Sequence, residues 1–274
     1  MELDNENNNR WDAENYHRVS TVQESWAIEL LEKRKIGEYE VVMDAGCGTG
    51  RVTETIANAV KRGMVYAVDR DDNMISKAKE NLSGFSNITF IKSDISEASL
   101  PEKMDLIFSN AVIHWVLDHK KLFSNFWNLL KPNGELLIQC GGKGNLGMVH
   151  TILEKLRKSN TFKHYFVDWN NPWNFASPED IKKTLNDTGF KNTQVQLKKK
   201  TAEFENYHEF ILFMKTVVMK PYLAYLPAGN DNEIRNSFIG EFMNELKKNQ
   251  ITNRIEADID LRLQYVRLDI TGKK

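Results

Sequence analysis

The chain has 274 residues, of which 41% are hydrophobic and 27% charged, a composition typical of folded globular proteins and unlike that of disordered chains. Its 37 Lys and Arg residues balance 38 Asp and Glu residues to a formal charge of −1, which argues against a dominant nucleic-acid-binding surface. The two cysteines, Cys47 and Cys140, are too few for a disulfide framework or a zinc cluster, and no bound metal is expected.

The N-terminal segment is acidic and rich in asparagine, and it lacks the apolar stretch of a secretory signal. Residues 1–15 are predicted to be disordered. No apolar run approaches the roughly 20 residues that cross a bilayer. These features predict a soluble, cytoplasmic protein with no membrane contact, and a monomer is favoured over an oligomer.

From residue 16 the chain alternates between amphipathic stretches and short apolar runs. Apolar residues at helical spacing predict a first helix near 16–31. The next predicted elements are a strand at 41–43, a helix at 51–60, a strand at 64–68, a helix at 72–82, strands at 88–91 and 106–108, a helix capped by Asp118, a turn at 131–134 and a strand at 135–140. Apolar strands alternating with helices indicate a parallel sheet covered on both faces.

The rhythm changes after Gly142, where helices predominate and two more strands are expected. The predicted elements are a helix at 148–156, an aromatic-rich segment at 160–176, a helix from the Ser177-Pro178 cap to Gly189, a strand around 195–197, a helix that opens at Asn206 and ends at Pro221, a helix at 231–246 and a strand at 261–270.

The most informative segment joins the first strand to the next helix and reads Val-Val-Met-Asp-Ala-Gly-Cys-Gly-Thr-Gly over residues 41–50. Glycines at such a turn let the backbone turn tightly and approach a ligand without interference from a Cβ. A dinucleotide fingerprint would need glycine at position 51, which is Arg51, and the Gly-Lys-Ser/Thr of a phosphate loop is absent. The pattern Asp-Ala-Gly-x-Gly-x-Gly resembles instead the first motif of the class I S-adenosylmethionine-dependent methyltransferases.

That resemblance implies S-adenosyl-L-methionine as the cofactor. It also implies an α/β fold: a doubly wound, Rossmann-like sheet of seven mostly parallel strands, one of them antiparallel, with a helical cap insertion. Within the motif, Gly46, Gly48 and Gly50 are expected to lie against the methionine part of the cofactor, and Asp44 close to its ammonium group.

Two further acids agree with this interpretation. Asp69 ends the second strand about twenty residues past the loop, where an acid accepts the ribose hydroxyls in doubly wound folds. The resemblance implies that Asp94 bonds the adenine amino group, that Ile95 packs on the adenine ring, and that Asn110 is a further cofactor-binding residue. Each acid alone is equally well explained as a solvated residue at a strand end. The order of all the motifs along the chain favours the interpretation that they bind the cofactor.

The segment 109–119 (Ser-Asn-Ala-Val-Ile-His-Trp-Val-Leu-Asp-His) and the segment 220–227 (Lys-Pro-Tyr-Leu-Ala-Tyr-Leu-Pro) resemble the trans-aconitate methyltransferases. Those enzymes usually carry glutamine where this chain has His114. The spacing Tyr16…Ser20…Gln23 is similar to that of the juvenile hormone acid methyltransferases, where asparagine is usual at the Ser20 position. These enzymes and the malonyl-carrier-protein methyltransferases act on carboxylates, which predicts O-methylation of a small-molecule carboxylate.

The resemblance implies that His114 and Trp115 are catalytic and that Tyr16, Gln23 and Trp115 bind the substrate. His114 is predicted to hydrogen-bond the acceptor, because a carboxylate is already ionised at pH 7 and needs no base. General-base catalysis by His114 is the alternative, and it would suit a hydroxyl or an amine of a small metabolite. A non-catalytic cofactor-binding module is the third alternative.

The Asn/Asp-Pro-Pro-aromatic motif of DNA amino methyltransferases is absent after strand four, so the only partner expected is a small-molecule substrate, with no nucleic acid. We predict one methyltransferase domain over residues 16–274. It has a cofactor-binding core at 36–145 and cap or substrate segments at 16–35, 146–190 and 206–250. The aromatics between Phe162 and Phe175 and the helices of 206–248 are predicted to form a lid over the cleft, with plain core packing as the alternative.

Overall fold

The structure is a computed structural model that describes residues 11–227, 233–251 and 260–274. The helices are α1 (Ala13–Val19), α2 (Thr21–Leu31), α3 (Arg51–Ala59), α4 (Asp72–Asn81), α5 (His119–Leu129), α6 (Gly147–Arg157), α7 (Pro178–Thr188), α8 (Tyr207–Phe213), α9 (Lys220–Leu223) and α10 (Glu233–Ile251). The strands are β1 (Val41–Ala45), β2 (Met64–Asp69), β3 (Ile88–Lys92), β4 (Met104–Asn110), β5 (Leu130–Gly141), β6 (Lys191–Glu203) and β7 (Arg262–Lys273). Short 3₁₀ helices occupy Ile113–Trp115 and Lys163–Tyr165, and a π-helical turn occupies Met214–Val218.

The strands form one seven-stranded sheet in the order β3-β2-β1-β4-β5-β7-β6. The pairs from β3 to β5 are parallel, whereas β7 runs antiparallel to β5. The strand order reverses between β1 and β4, and open α/β sheets bind ligands outside the carboxyl ends of the strands at such a switch point. The predicted doubly wound, mostly parallel sheet is confirmed.

Both faces of the sheet are buried, because successive side chains of a strand point to opposite sides. Met43 and Ile107 belong to the core cluster that includes Phe123 and Phe126 of α5. The neighbouring strand residues Val42 and Leu106 belong to a second cluster. That cluster also includes apolar side chains of α2 and α3: Ala27, Leu30, Ile56 and Ala57. This packing fixes the carboxyl ends of β1 and β4 next to each other.

Several predicted helix boundaries are confirmed by their caps. Asp118 accepts the Lys121 N–H at the start of α5, and Asn206 accepts the Glu209 N–H at the start of α8. A full capping box opens α7, where the Ser177 side chain accepts from Asp180 N–H and the Asp180 side chain accepts from Ser177 N–H. These caps satisfy backbone donors that the first helical turn leaves without a partner.

Other boundaries differ from the sequence prediction. The first helix is broken at Ser20 and begins at Ala13, inside the range 1–15 that was predicted to be disordered, because the Asp12 side chain caps it by accepting the Asn15 N–H. Residues 1–10 of that range lie outside the described residues. The prediction that Pro221 ends a helix is wrong: it lies in the first turn of α9, where a missing N–H costs no helical hydrogen bond.

The predicted turn at 131–134 is an irregularity within β5. Met104 pairs with Leu130, but Leu106 pairs with Glu135, so the register shifts at this point. Asn133 there has a φ of 66°, in the left-handed region that asparagine tolerates. The helix predicted at 231–246 is α10, whose described part begins at Glu233.

The chain divides into two compact units. The described residues of the first unit are 11–145, 172–200 and 266–274, and those of the second are 146–171, 201–227, 233–251 and 260–265. In the second unit, Phe162 and Phe166 are buried, and both rings contact Phe238 of α10. No helix in the described ranges is long and apolar enough to cross a bilayer.

Candidate active site

The glycine loop follows β1 at the carboxyl edge of the sheet. Gly46, Gly48 and Gly50 have φ values of 81°, 54° and 87°, in the left-handed region that favours glycine. A Cβ on Gly46 would overlap the side chain of Val112, and a Cβ on Gly50 would lie 2.6 Å from Leu82 Cδ1. Gly46 and Gly50 therefore make room for packing within the protein itself.

Gly48 differs from its two neighbours in the motif. Among the residues that the structure describes, a Cβ on Gly48 would meet only Tyr16 Cε1, at 3.8 Å. The Gly48 N–H donates to Asp69 Oδ2 at 2.9 Å, which holds the loop against the end of β2. Of the three glycines, Gly48 leaves an open face that a ligand can approach.

The roles of Gly46 and Gly48 can be distinguished by experiment. Both Gly46→Ala and Gly48→Ala carry the strain of a left-handed non-glycine residue, about 1–2 kcal/mol. Only Gly46→Ala also overpacks the core, so it should lower the free energy of unfolding by a further ~1–3 kcal/mol. Chemical denaturation of both variants measures this difference, and equal losses would contradict the distinction.

Asp69 is tied to the backbone on two sides. In addition to the Gly48 contact, its Oδ1 accepts the Asp71 N–H at 3.0 Å. Burial raises the pKa of Asp69, and the hydrogen bonds from Asp71 and Gly48 lower it. Each carboxylate oxygen has a second lone pair, so the group retains the capacity to accept hydroxyl donors.

Asp94 and Ile95 follow β3, which pairs with β2. The Ser93 N–H donates to the Asp69 carbonyl at 2.9 Å, and Asp94 Oδ1 accepts the Ser96 N–H at 2.8 Å. Ile95 is only 5% exposed and lies in the core cluster that includes the apolar face of α5. The protein's own side chains thus enclose Ile95, and its contact with an adenine ring stays a prediction.

Asp44 is a buried acid on β1, only 2% exposed. The Thr53 hydroxyl donates to Asp44 Oδ2 at 2.6 Å. Burial and, to a smaller extent, the charge of Asp69 raise the pKa of Asp44 to about 7, against the lowering effect of the Thr53 hydrogen bond. A buried carboxylate is costly when ionised unless a cation or further donors stabilise it.

Helices α1 and α2 are fastened to the glycine loop by polar contacts that the sequence analysis did not anticipate. His17 Nδ1 lies 2.8 Å from Thr49 Oγ1, and Arg51 Nη1 pairs with Glu24 Oε2 at 2.8 Å. Near these contacts, Tyr16 faces Gly48, and burial together with the charge of Asp69 raises its pKa to about 12. These contacts join residues that are far apart in sequence, so no local pattern indicates them. Only the Tyr16…Gln23 spacing indicated that residues of these helices belong to the site.

Asn110 ends β4 and bonds one glutamine main chain and one glutamine side chain. Its Nδ2 donates to the main-chain carbonyl of Gln23 at 3.0 Å, and its Oδ1 accepts from Gln139 Nε2 at 2.7 Å. Gln23 is 8% exposed, and its Oε1 is buried with no hydrogen-bond partner in the described part of the chain. A buried amide oxygen of this kind is satisfied when a ligand or a water supplies the donor.

The 3₁₀ helix Ile113–Trp115 presents the two predicted catalytic residues. The Gly141 N–H donates to His114 Nδ1 at 3.3 Å. A neutral imidazole that accepts at Nδ1 carries its proton on Nε2. His114 is therefore held as the tautomer that donates from Nε2.

Five partly or fully buried rings form a continuous wall in the first unit, and we call it the aromatic wall: Trp11, Tyr16, Trp115, Trp173 and Phe175. Trp11 lies 5.4 Å from Tyr16 and 5.6 Å from Trp115, between ring centroids. Trp115 lies 5.5 Å from Trp173, which stacks on Phe175 at 6.1 Å. The aromatic segment of the predicted lid thus contributes to both units, and Trp11 was missed because it lies among polar residues.

Comparison with known proteins identifies the class. A family model described as a methyltransferase domain matches residues 36–206. Malonyl-[acyl-carrier protein] O-methyltransferase 2 of Ilyobacter polytropus is 33% identical over 208 residues, which cover 75% of this chain and 74% of that protein. Juvenile hormone acid O-methyltransferase of Bombyx mori is 23% identical over 280 residues, covering 96% of this chain and 97% of that protein.

Among solved structures, the YcgJ protein of Bacillus subtilis matches with a TM-score of 0.60 at 14% identity, covering 90% of this chain and 97% of that one. At this identity the match shows the fold alone. The family match covers more than half of the chain, so the protein belongs to the methyltransferase domain family. It is a class I S-adenosylmethionine-dependent methyltransferase, as its motifs predict, and its relatives include O-methyltransferases of the predicted group.

Proposed function

We propose that the protein transfers a methyl group from S-adenosyl-L-methionine to a carboxylate oxygen of a small molecule. The tautomer of His114 carries this proposal, because the Gly141 N–H donates to Nδ1 and the proton of the neutral imidazole therefore lies on Nε2. A donor suits a carboxylate, which is ionised at pH 7 given a reference pKa near 4 and needs no base. A hydroxyl or an ammonium acceptor would have to lose a proton.

The residues at the carboxyl edge of the sheet fit the cofactor. Asp69 offers acceptors for ribose hydroxyls, Asp44 offers a buried carboxylate for an ammonium group, and Gly48 leaves room beside the loop. Asp94 would bond the adenine. When bound, the cofactor supplies an electrophilic methyl group on a sulfonium. The protein's part is then to orient the acceptor oxygen and exclude water, which is catalysis by proximity.

The aromatic wall supports an acceptor with an apolar body. Trp115 is adjacent in sequence to His114, so an acid whose carboxylate bonds His114 would lie with its hydrocarbon part along Trp115, Tyr16 and Trp11. Burial of apolar surface contributes about 25 cal/mol per Å² to binding. The names of the two relatives, both O-methyltransferases, agree with a carboxylate acceptor.

A product assay tests the proposal. The protein is incubated with methyl-labelled cofactor and a panel of aliphatic, isoprenoid and aromatic acids, di- and tricarboxylic acids, alcohols and amines. We expect a labelled methyl ester of a monocarboxylic acid, identified by mass spectrometry and by release of labelled methanol in mild alkali. Methyl ethers and methylamines survive that treatment, so an alkali-stable product would reject carboxylate methylation.

Substitution of His114 gives an independent test. His114→Gln should retain kcat within a few-fold, because glutamine still donates a hydrogen bond, and His114→Ala should mainly raise KM for the acid. If His114 were the general base, both variants would lose about a hundredfold or more in kcat. Steady-state kinetics on the methylated acid distinguish the two. A collapse of kcat in His114→Gln with KM unchanged would promote hydroxyl or amine methylation.

A further inference from the structure

Gln139 is a buried polar residue on β5, and its side chain is only half satisfied. It is 2% exposed, and its Nε2 donates to Asn110 Oδ1 at 2.7 Å. Its Oε1 is buried without a hydrogen-bond partner among the described residues. An apolar residue of the same length would remove this unpaired oxygen, but it would also remove the donor to Asn110 Oδ1. The contact that a glutamine supplies here is therefore the hydrogen bond to Asn110.

The carboxyl end of β5 holds the turn that follows β4 at several points. The Gln139 carbonyl accepts the Ala111 N–H at 2.8 Å, and Gly141 N–H donates to His114 Nδ1. Ala111 has a φ of 59°, a left-handed backbone that is strained for alanine. Such a turn keeps its shape only when its surroundings fix it.

The amide of Asn110 bridges Gln139 of β5 and the main chain of α2. Its amino group donates to the main-chain carbonyl of Gln23 at 3.0 Å, which leaves its oxygen to accept from the Gln139 amino group at 2.7 Å. A flipped Asn110 amide would set its oxygen against the Gln23 carbonyl oxygen. The Gln139 donor supports the orientation that the Gln23 carbonyl requires, and it thereby links β5 to α2.

We propose that Gln139 is a positioning residue that acts through Asn110 to fix Gln23 of α2 against the turn after β4. The consequence for methyl transfer rests on the proposed function, whereas the consequence for α2 does not. Loss of the Gln139 amide should loosen the contact between Asn110 and the main chain of α2 while leaving the sheet intact.

Gln139→Met tests this, since methionine matches the length of glutamine and makes no hydrogen bond. We expect amide hydrogen exchange in 21–31 to become at least about tenfold faster, with the thermal midpoint lowered only slightly and kcat/KM for the methylated acid reduced about tenfold. Gln194→Met, at an exposed position of β6, is the matched control and should change none of these.

A double substitution separates positioning from general packing. If Gln139 acts through Asn110, Gln139→Met should add no further loss of kcat/KM to Asn110→Ala. Additive losses, unchanged exchange in 21–31, unchanged kcat/KM in Gln139→Met, or a strongly lowered thermal midpoint with faster exchange throughout the chain would each overturn the proposal. The exchange measurement needs no acceptor, so failure to find a methylated acid would count against the proposed function and leave this test intact.

Discussion

Asp69→Ala is expected to weaken binding of S-adenosylhomocysteine by about 10- to 100-fold, which corresponds to the 1.5–3 kcal/mol typical of a hydrogen bond to a charged group. Two effects act in the same direction. The variant loses the acceptors proposed for the ribose hydroxyls, and it releases the Gly48 N–H from Asp69 Oδ2, so the loop is no longer held against β2. Titration calorimetry on the folded variant measures the loss.

The control for this variant is Asp72→Ala. Asp72 lies in the first turn of α4, is half-exposed and pairs with Lys92, so its removal changes the local charge equally. We expect its affinity for S-adenosylhomocysteine to stay within about twofold of the unmodified protein, since an exposed ion pair contributes little. Unchanged affinity in Asp69→Ala, or an equal loss in Asp72→Ala, would remove Asp69 from the cofactor site.

The positions of the strands along the chain and of the glycine loop could be predicted from the sequence because both depend on local patterns. Apolar runs at 41–43 and 64–68 and glycines spaced two apart specify strands and a strand–helix turn without knowledge of distant contacts. The roles of the individual glycines could not be predicted. Gly46 and Gly50 are explained by Val112 and Leu82, which the fold alone brings to the loop.

The polar contacts of the candidate site were missed for the same reason. Gln139 is a single polar residue within the apolar run 136–140, which by itself indicates no function. Its hydrogen bond to Asn110 arises only because β4 and β5 pair in the sheet. Trp11 lies in a polar segment that predicts disorder. Its backbone N–H nevertheless donates to Asp71 Oδ2 at 2.9 Å, and its ring contacts Trp115. Contacts between residues this far apart in sequence leave no periodic signal.

Asp44 gives a prediction about pH, and its sign follows from its pKa. Its pKa is about 7 in the folded protein, against an ordinary value of 3.8, so between these pH values the folded protein binds more protons than the unfolded chain. The free energy of unfolding therefore falls as pH rises from about 4 to about 7 through this group. Asp44→Asn should lose this dependence and be at least as stable as the unmodified protein at pH 8.

Ligand binding should respond in the opposite sense. An ammonium group beside Asp44 favours the ionised carboxylate, so affinity for S-adenosylhomocysteine should rise from pH 5 to pH 7 by up to about tenfold per pH unit, the limit for release of one proton. Thr53→Val removes the hydroxyl that lowers the pKa of Asp44 and should shift this profile to higher pH. Asp69 also has a raised pKa, so Asp44→Asn isolates the contribution of Asp44. A profile in Asp44→Asn as steep as that of the unmodified protein would place the ammonium group elsewhere.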